Sequence, residues 1–599
     1  MNKIVEMRLL FILACCLPTL SFAQSIKYAL KMPKPQNHYF EVEMELRDFK
    51  ASELTVKMPV WAPGSYLVRE FSRHVNYVKA VDENNKELKV TKTAKNEWKI
   101  AKGKAKSVKV NYDVYAFELT VRTSFLDLSH GFVSGSSVFF YVAGSQHLSG
   151  TLDVYPYSSF KTITTPLTKS AESVQGDAAA ERFTFTNYDE LVDSPIEIGN
   201  HELFYFQTGG THHQVALYGL ANYDMEQLKV DMEKITAAAT DVFGQNPCKE
   251  YTFIIHNVIN GQGGLEHANA CVLSVNRWTY APTEYNNFLS LVAHEYFHLW
   301  NVKRIRPIEL GPFNYDEENY TTLLWVMEGF TSYYDELLMV RAGYYSKEDY
   351  LRKLQGTINY VEGSTGSRVQ SLAHASFDAW IKAYRPNENS GNTTMTYYSR
   401  GAMLASLLDV MIIDKFEAKK CLDHFMRYLY DEFYVKKKRG FTEVEFQQAL
   451  ETFMGEDMDA FFNDHVYGTK IPDFKSVFSK VAVNVVYTGK PAASFGASVA
   501  QEGGKTIVKS IRSGSTAEEA GISVGDEVIA CNGIRVDQKT FDNFVASLVT
   551  GEYIELIVAR EEIVLNLQAK MTTYERPGFR FETMMPSNEK FYYWLRSLH

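Results

Sequence analysis

The chain of 599 residues is long enough for several domains, since one domain typically holds about 100–200 residues. Hydrophobic residues make up 45% and aromatic residues 14% of it, a composition typical of globular domains with large cores. The formal net charge is −10, and the only marked basic run, residues 436–439, is more typical of a solvated helix end. This composition disfavours a nucleic-acid-binding protein.

The first 23 residues have the pattern of a secretory signal. Two early basic residues precede an apolar stretch at 9–20 and a small-x-small site at 21–23, which predicts cleavage before Gln24. The stretch is too short to span a bilayer, and no later run of about 18 apolar residues follows. We therefore expect an exported protein without a transmembrane segment, in a bacterial periplasm or outside the cell. Lipid attachment at Cys15 or Cys16 is the less favoured alternative.

Four cysteines follow the signal: Cys248, Cys271, Cys421 and Cys531. In an oxidising compartment they could pair in three ways, and the sequence does not choose among these connectivities. Buried free thiols are an equally good interpretation. The lack of a CxxC pair disfavours a zinc knuckle or a thioredoxin-like redox site.

Short runs of alternating apolar and polar residues dominate from residue 24 to about 200. Runs such as 40–46 and 107–112 are separated by Pro, Gly and Asn, which predicts an N-terminal β-sandwich-like domain. Within it, residues 61–71 read WAPGSYLVREF and combine a Pro-Gly turn with Trp, Tyr and Arg. Such a segment fits a structural turn packed on the next domain or a loop that faces a substrate.

The stretch with the most chemical content is His294-Glu295-Tyr296-Phe297-His298. Two histidines four residues apart on a helix can bind one ion from the same face. Glu295 beside them can hold a water and take its proton, so the pattern favours a catalytic zinc site. Apolar residues at helical spacing from 288 to 300 support a helix that Pro307 ends. The alternative is a structural helix with two partly buried histidines.

A catalytic zinc ion needs a third protein ligand and an open position for water. Glu328 lies in the segment WVMEGFTSYY at 325–334, which has helical character. A carboxylate among Trp, Val, Met and Phe is costly to bury unless it binds a cation. Glu328 is therefore the predicted third ligand, although it could also reach the helix surface.

With both helices, the sequence resembles the PDZ-domain-containing glycyl aminopeptidases, distant relatives of the thermolysin-like gluzincin aminopeptidases. The segments that carry the resemblance are HEYFHLWNVKRIRP at 294–307 and WVMEGFTSYY at 325–334. The departure lies in the spacing, because 29 residues separate His298 from Glu328, more than in the related leucine aminopeptidases. A loop insertion around residues 311–315 accounts for the difference.

The resemblance also assigns residues upstream of the motif helix. Two predicted strands, 251–256 and 270–274, flank the glycine-rich segment Gly263-Gly264-Leu265-Glu266-His267. Glycine-rich backbone lets an extended peptide add to the edge of a sheet. In related aminopeptidases the Glu of such a segment binds the free amino group of the substrate, which points to Glu266; alternatively, Glu266 is a solvated loop carboxylate.

Downstream, residues 396–404 read TYYSRGAML, a Tyr followed by a basic residue and Gly at a predicted helix start. This segment resembles the one that carries the oxyanion-stabilising tyrosine in the wider aminopeptidase group. The resemblance implies Tyr398 for that role, with Tyr397 as the fallback. In the alternative interpretation, both tyrosines are packing residues without a catalytic role.

The pattern returns to strands after about residue 490. The segment AGISVGDEVIACNG at 520–533 and a predicted helix at 541–548 resemble a PDZ domain. That resemblance implies a carboxylate-binding loop at Phe495-Gly496 for the C-terminus of a partner peptide. A small β domain of another kind is the alternative. The aromatic-rich last thirty residues are expected to pack back on the body.

Together these patterns predict a multidomain α+β protein with five segments. They are a signal peptide (1–23), an N-terminal β domain (24–200), a thermolysin-like, mostly helical zinc peptidase domain (201–484), a PDZ domain (485–570) and a tail (571–599). The expected protein is a one-zinc aminopeptidase of peptides with N-terminal Gly or Ala, a preference implied by resemblance alone. The alternatives are a zinc endopeptidase guided by the PDZ domain and a non-catalytic PDZ binding protein.

Overall fold

The structure, a computed structural model, describes residues 24–174, 176, 180–261, 263–583 and 588–597. The predicted secretory signal at 1–23 lies outside the described residues. Within the described part of the chain, every helix is too short or too polar to cross a bilayer. Cys248, Cys271, Cys421 and Cys531 are free thiols in the structure, and all but Cys248 are buried, which is the free-thiol alternative of the two interpretations.

Three sheets build the N-terminal region. The largest has eight strands in the spatial order Thr168–Lys169, Glu181–Phe185, Gly150–Tyr155, Ser25–Lys31, Tyr39–Arg47, Ser107–Tyr115, Val75–Asp82 and Glu87–Leu88. A four-stranded sheet orders Thr162–Thr164, Ile196–Gly199, Gly131–Val133 and Phe125–Leu126. The other orders Tyr141–Val142, Leu54–Lys57, Glu97–Ile100 and Val90–Ala94. Short helical turns lie at Pro35–Asn37, Phe71–His74, Gly135–Ser137 and Tyr188–Val192.

Alternation of side chains explains how these sheets form one core. Along Tyr39–Arg47, every second residue from Phe40 to Leu46 is buried, while Glu41 and Arg47 face solvent. Apolar residues of the eight-stranded sheet and of both four-stranded sheets share a single hydrophobic cluster. The prediction of a β-rich N-terminal domain is confirmed.

A five-stranded mixed sheet follows. Its spatial order is Glu202–Thr208, Thr211–Tyr218, Glu250–Val258, Ala270–Asn276 and Gly264–Glu266. The three inner strands run parallel and are mostly buried, and the helix Met225–Phe243 connects two of them. The short strand Gly264–Glu266 pairs antiparallel with its neighbour and forms one edge of the sheet.

The rest of the peptidase region is helical, which confirms the predicted α+β class. The α-helices are Tyr285–Phe297, Phe330–Arg341, Lys347–Glu362, Leu372–Phe377, Ser390–Thr393, Tyr397–Lys415, Leu422–Leu429, Glu443–Met454, Asp459–Phe461 and Phe474–Ser479. Wider π turns occur at Trp325–Gly329, Tyr430–Lys437 and Phe462–Val466. Single 3₁₀ turns occur at Ile308–Leu310, Thr365–Arg368 and Asp378–Trp380.

The helix that carries the motif is shorter than predicted. It spans Tyr285–Phe297, and His298 is its C-cap residue, so the prediction that the helix continues to Pro307 is wrong. The cause is local: Val302 has a φ of 104°, which an α-helix cannot include, and Asn301 bonds away from the helix. His298 keeps helical dihedrals and donates its N–H to His294 O, so the two rings still share one face.

The C-terminal region is an inserted module followed by a return to the peptidase core. A six-stranded sheet contains Ala497–Glu502, Lys505–Ile511, Glu527–Cys531, Ile534–Arg535, Tyr553–Arg560 and Ile563–Lys570, with helices Thr516–Glu519 and Gln538–Ser547. Two short antiparallel strand pairs join the segments before and after this module. Pro491–Ala493 pairs with Thr573–Glu575, and Val483–Tyr487 pairs with Phe579–Thr583.

The final helix, Glu589–Trp594, packs on the peptidase helices, as expected for the aromatic tail. The Trp594 side chain is 0% exposed and donates its indole N–H to Tyr333 Oη at 2.9 Å. Arg596 pairs with the buried Asp423 at 2.8 Å. Residues after the inserted module therefore complete the core of the peptidase region.

Candidate metal centre and substrate cleft

Three predicted ligand atoms converge on one point. His294 Nε2 and His298 Nε2 lie 3.2 Å apart, and Glu328 Oε2 lies 3.5 and 3.3 Å from them. Ligand atoms that each lie about 2.0–2.1 Å from one tetrahedral zinc ion are separated by roughly 3.3 Å. His298 and Glu328 are buried and His294 is half-buried, so the donor set and its spacing fit zinc.

The outer nitrogens of both histidines are held by hydrogen bonds. His294 Nδ1 lies 2.9 Å from Asp335 Oδ2, and His298 Nδ1 donates to Asn301 O at 2.7 Å. These partners fix the proton on Nδ1 and leave each Nε2 free for an ion. Asp335 was missed by the sequence analysis, although it lies seven residues after Glu328 on the same helix face.

A π turn sets the position of Glu328. It spans Trp325–Gly329, and Asn301 Nδ2 donates to Val326 O and Met327 O at 2.9 Å. Single π turns inside α-helices are frequent at functional sites because they free backbone carbonyls and shift side chains. Here the turn and Asn301 lock the Glu328 helix onto the loop that follows His298.

Glu295 is enclosed beside the candidate ligands. Its side chain is 4% exposed, and Oε2 has no hydrogen-bond partner among the described residues. Gly264 packs directly on it, since a Cβ at Gly264 would lie 2.3 Å from Glu295 Oε1. Burial raises the pKa of Glu295 to about 7. A carboxyl group in this range can both accept and return a proton near neutral pH.

Glu266 shares this enclosure. It ends the edge strand, is 4% exposed, and its Oε1 has no hydrogen-bond partner in the described part of the chain. Carboxylate oxygens of Glu266 and Glu295 and a ring nitrogen of His298 all lie within 4.8 Å of one another. The structure thus brings Glu266 to the centre rather than to a solvated loop.

The N-terminal domain covers Glu266. Gly64, in the segment 61–71, lies so close that a Cβ there would be 2.6 Å from Glu266 Oε1. Trp61 anchors that segment by donating its indole N–H to Asn314 O at 2.8 Å and by an edge contact with Trp380. The segment therefore packs on the peptidase region and also lies at the site, which unites its two interpretations.

Asp193, also from the N-terminal domain, holds the loop after Glu266. It accepts hydrogen bonds from Lys303 Nζ at 2.9 Å and Ala268 N at 2.8 Å, and it lies 3.0 Å from His267 Nδ1. Burial would raise the pKa of Asp193, but Lys303 and His267 outweigh it and hold that pKa at about 2. Sequence analysis gave no role to Asp193 because its partners are remote in the chain.

Tyr398 lies over the metal centre, at the start of the helix Tyr397–Lys415. Its ring centroid is 6.4 Å from that of His294. This helix approaches the Glu328 helix closely, because a Cβ at Gly401 would lie 2.5 Å from Trp325 O. Tyr397 is 1% exposed, and both Tyr397 and Tyr398 line a cavity of about 500 Å³.

A second buried trio does not have metal-site spacing. His130 Nδ1 and His256 Nε2 lie 2.7 and 2.9 Å from the two oxygens of Glu197. These are hydrogen-bond distances, shorter than those expected between two ligands of one zinc ion. Burial would raise the pKa of Glu197, but the two histidines outweigh it and lower that pKa to about 2. The trio is a charged junction between the N-terminal domain and the buried strand Glu250–Val258.

The predicted carboxylate loop lies far along the chain from this centre. Phe495 is buried with its ring 5.8 Å from that of Phe541, and Gly496 has a φ of 86°. A φ in this range favours glycine, and the Gly496 carbonyl accepts from Arg512 N at 2.7 Å. Asn392 ties the module to the peptidase region through Ile511 O and Ser513 N.

Comparisons with known proteins find two matching family models and several similar solved structures. Residues 27–200 match the family model of the peptidase M61 N-terminal domain, and residues 287–404 match that of the M61 glycyl aminopeptidase. No curated protein matches the chain. A solved aminopeptidase N family protein from Idiomarina loihiensis is 29% identical, covering 95% of this chain and 100% of its own, with a TM-score of 0.87.

Two further solved structures are less similar. An M1 zinc metallopeptidase from Deinococcus radiodurans is 14% identical over 75% of this chain and 95% of its own, with a TM-score of 0.49. Yeast LTA4 hydrolase with bestatin is 12% identical over 77% of this chain and 70% of its own, with a TM-score of 0.48. The two matched domains, not these weaker likenesses, decide the assignment. Over residues 27–200 and 287–404 the chain is similar to the two domains of the M61 glycyl aminopeptidases, and it is a metallopeptidase.

Proposed function

We propose that the protein is an exported zinc aminopeptidase that removes small N-terminal residues, Gly or Ala, from peptides. The observation that carries the proposal is the buried carboxylate of Glu266, which has an oxygen without a partner beside Glu295 and His298. An unpaired buried carboxylate is costly unless it meets a cation. The free α-amino group of a peptide is the cation that an exopeptidase must recognise.

Each residue of the cleft has a role in this proposal. His294, His298 and Glu328 hold the zinc ion, one per chain, which when bound supplies Lewis acidity at the scissile carbonyl and acidifies a water. Glu295 takes the proton of the attacking water and passes it to the leaving amine. Tyr398 donates a hydrogen bond to the charge that develops on the carbonyl oxygen.

The strand Gly264–Glu266 binds the peptide backbone. It lies at the edge of the five-stranded sheet, where an extended peptide can add as a further strand. The glycines at 263 and 264 let that backbone approach Glu295, on which Gly264 already packs. Gly64 limits the space around Glu266, which supports a preference for a small first side chain.

We expect Glu266→Ala to lower kcat/KM for Gly- and Ala-leading peptides by about 10- to 150-fold, because a charge-assisted hydrogen bond is worth roughly 1.5–3 kcal/mol. N-acetylated peptides should be poor substrates of the wild type, and the substitution should barely change their rate. Peptide hydrolysis followed by mass spectrometry measures both. Equal cleavage of free and N-acetylated peptides by the wild type would favour an endopeptidase instead.

Tyr398→Phe should lower kcat far more than it raises KM, since it removes a donor aimed at charge that exists only in the transition state. Such donors are typically worth about 10²–10³ in kcat. Steady-state kinetics on an alanyl peptide measures the effect. Tyr397→Phe is the matched control, because Tyr397 is the buried neighbour. If Tyr397→Phe is instead the variant with the lowered kcat, the oxyanion role belongs to Tyr397.

We also propose that residues 485–570 form a PDZ domain that binds a C-terminal peptide at Phe495-Gly496. The left-handed φ of Gly496 and the helix Gln538–Ser547 beside the strand Ala497–Glu502 support it. The test compares how tightly the Glu295→Gln protein binds peptides with a free C-terminal carboxylate and the same peptides with an amidated C-terminus.

The proposal of export rests on residues 1–23, and a mature N-terminus other than Gln24 would count against it.

A further inference from the structure

The lining of the cavity beside Tyr398 has an excess of positive charge. Its lining contains two cations, Arg122 and Lys382, and no carboxylate among the described residues. Lys382 lies 3.4 Å from Asp378 on its own helical turn, whereas no carboxylate pairs with Arg122 within the described residues. The cavity therefore offers a cation without a counter-charge next to the candidate metal centre.

Arg122 is held in place but has unused donors. It comes from a loop of the N-terminal domain that Thr120 and Thr123 brace, with their hydroxyls 2.7 Å apart. Its Nη2 donates to Gly264 O at 3.4 Å, and its buried Nε has no partner among the described residues. A guanidinium held by one long contact can still offer a planar pair of N–H groups to a carboxylate.

The distance along the edge strand identifies what Arg122 can reach. Gly264 lies two residues before Glu266, which corresponds to roughly 6–7 Å at the usual rise of a strand. A peptide whose amino group lies at Glu266 therefore passes Arg122 with its second or third residue. In a dipeptide or tripeptide, that position carries the C-terminal carboxylate.

We propose that Arg122 binds the C-terminal carboxylate of short peptides and makes dipeptides and tripeptides the preferred substrates. This inference rests on the proposed aminopeptidase function and adds its substrate class. The two ends of the substrate would then meet opposite charges supplied by different domains: its amino group at Glu266 in the peptidase region, and its carboxylate at Arg122 in the N-terminal domain.

The test compares free and amidated C-termini. Wild-type, zinc-loaded full-length protein should hydrolyse Ala-Ala and Ala-Ala-Ala with kcat/KM about 10- to 100-fold above their C-terminal amides, a range typical of a charge-assisted contact. Arg122→Gln should bring that ratio to within about threefold of one, mainly through KM. Arg122→Lys keeps the positive charge but lacks the paired N–H groups of a guanidinium, and it should give an intermediate ratio.

Arg73→Gln is the matched control, because Arg73 is an exposed cation of the same domain that does not line this cavity. It should keep the wild-type ratio. A wild-type ratio near one, or an unchanged ratio in Arg122→Gln, would overturn the role of Arg122. If Arg122→Gln does not fold, the ratio in Arg122→Lys decides in the same way. A failure of the proposed aminopeptidase function would give a different result. The wild type would then also fail to hydrolyse alanine 4-nitroanilide, which has no carboxylate.

Discussion

His298→Ala is expected to remove the metal and to lower kcat/KM by on the order of 10³ or more, because the metal contributes several kcal/mol to the transition state. His298 is buried and contributes one of three converging ligand atoms, and the two side chains grouped with it, Glu266 and Glu295, offer carboxylate oxygens in place of a nitrogen. Elemental analysis of purified protein should give one zinc per chain for the wild type and little for the variant.

Asp335→Asn is the graded control for that experiment. Asp335 contacts the outer nitrogen of His294 but not the ion site, so its loss should weaken zinc affinity by about 10- to 100-fold and leave activity at saturating zinc. Full zinc content in His298→Ala, with the fold intact by circular dichroism, would contradict the zinc centre. An equal loss in both variants would point to a folding defect.

Glu295→Gln is expected to keep the metal and lower kcat by about 10²–10⁴, the range that a positioned general base contributes. The substitution keeps the side-chain shape that packs on Gly264, and an amide cannot accept the proton of the attacking water. Zinc content, melting temperature and kcat measured on one preparation separate chemistry from stability. A variant that retains more than about a tenth of the wild-type kcat would exclude Glu295 as the base.

Much of the metal centre follows from the sequence because its geometry is local. His294 and His298 share a face through one helical turn, and Glu328 was identified as a carboxylate too costly to bury alone. The helix end was wrong because Leu299 and Trp300 keep an apolar pattern in a loop that is also buried. Burial in a compact loop produces the same composition as a helix face.

The contributions of the N-terminal domain could not be read in this way. Gly64, Arg122 and Asp193 approach Glu266 and its loop only after two domains pack, at separations of more than 70 residues along the chain. Their residue types are ordinary for turns and surfaces, so no local pattern marks them. The site is therefore a product of domain docking, and the N-terminal domain is part of it.

The position of the final helix at the end of the chain has a consequence for the order of folding. Domains generally fold as units during synthesis, the earlier ones first. Trp594 fills the peptidase core, yet it follows the inserted module, so the ribosome must finish that module before the core can close. Until then the partners of Trp594, among them Tyr333, lack this contact. We therefore expect the peptidase core to be completed only after residue 594 has been made.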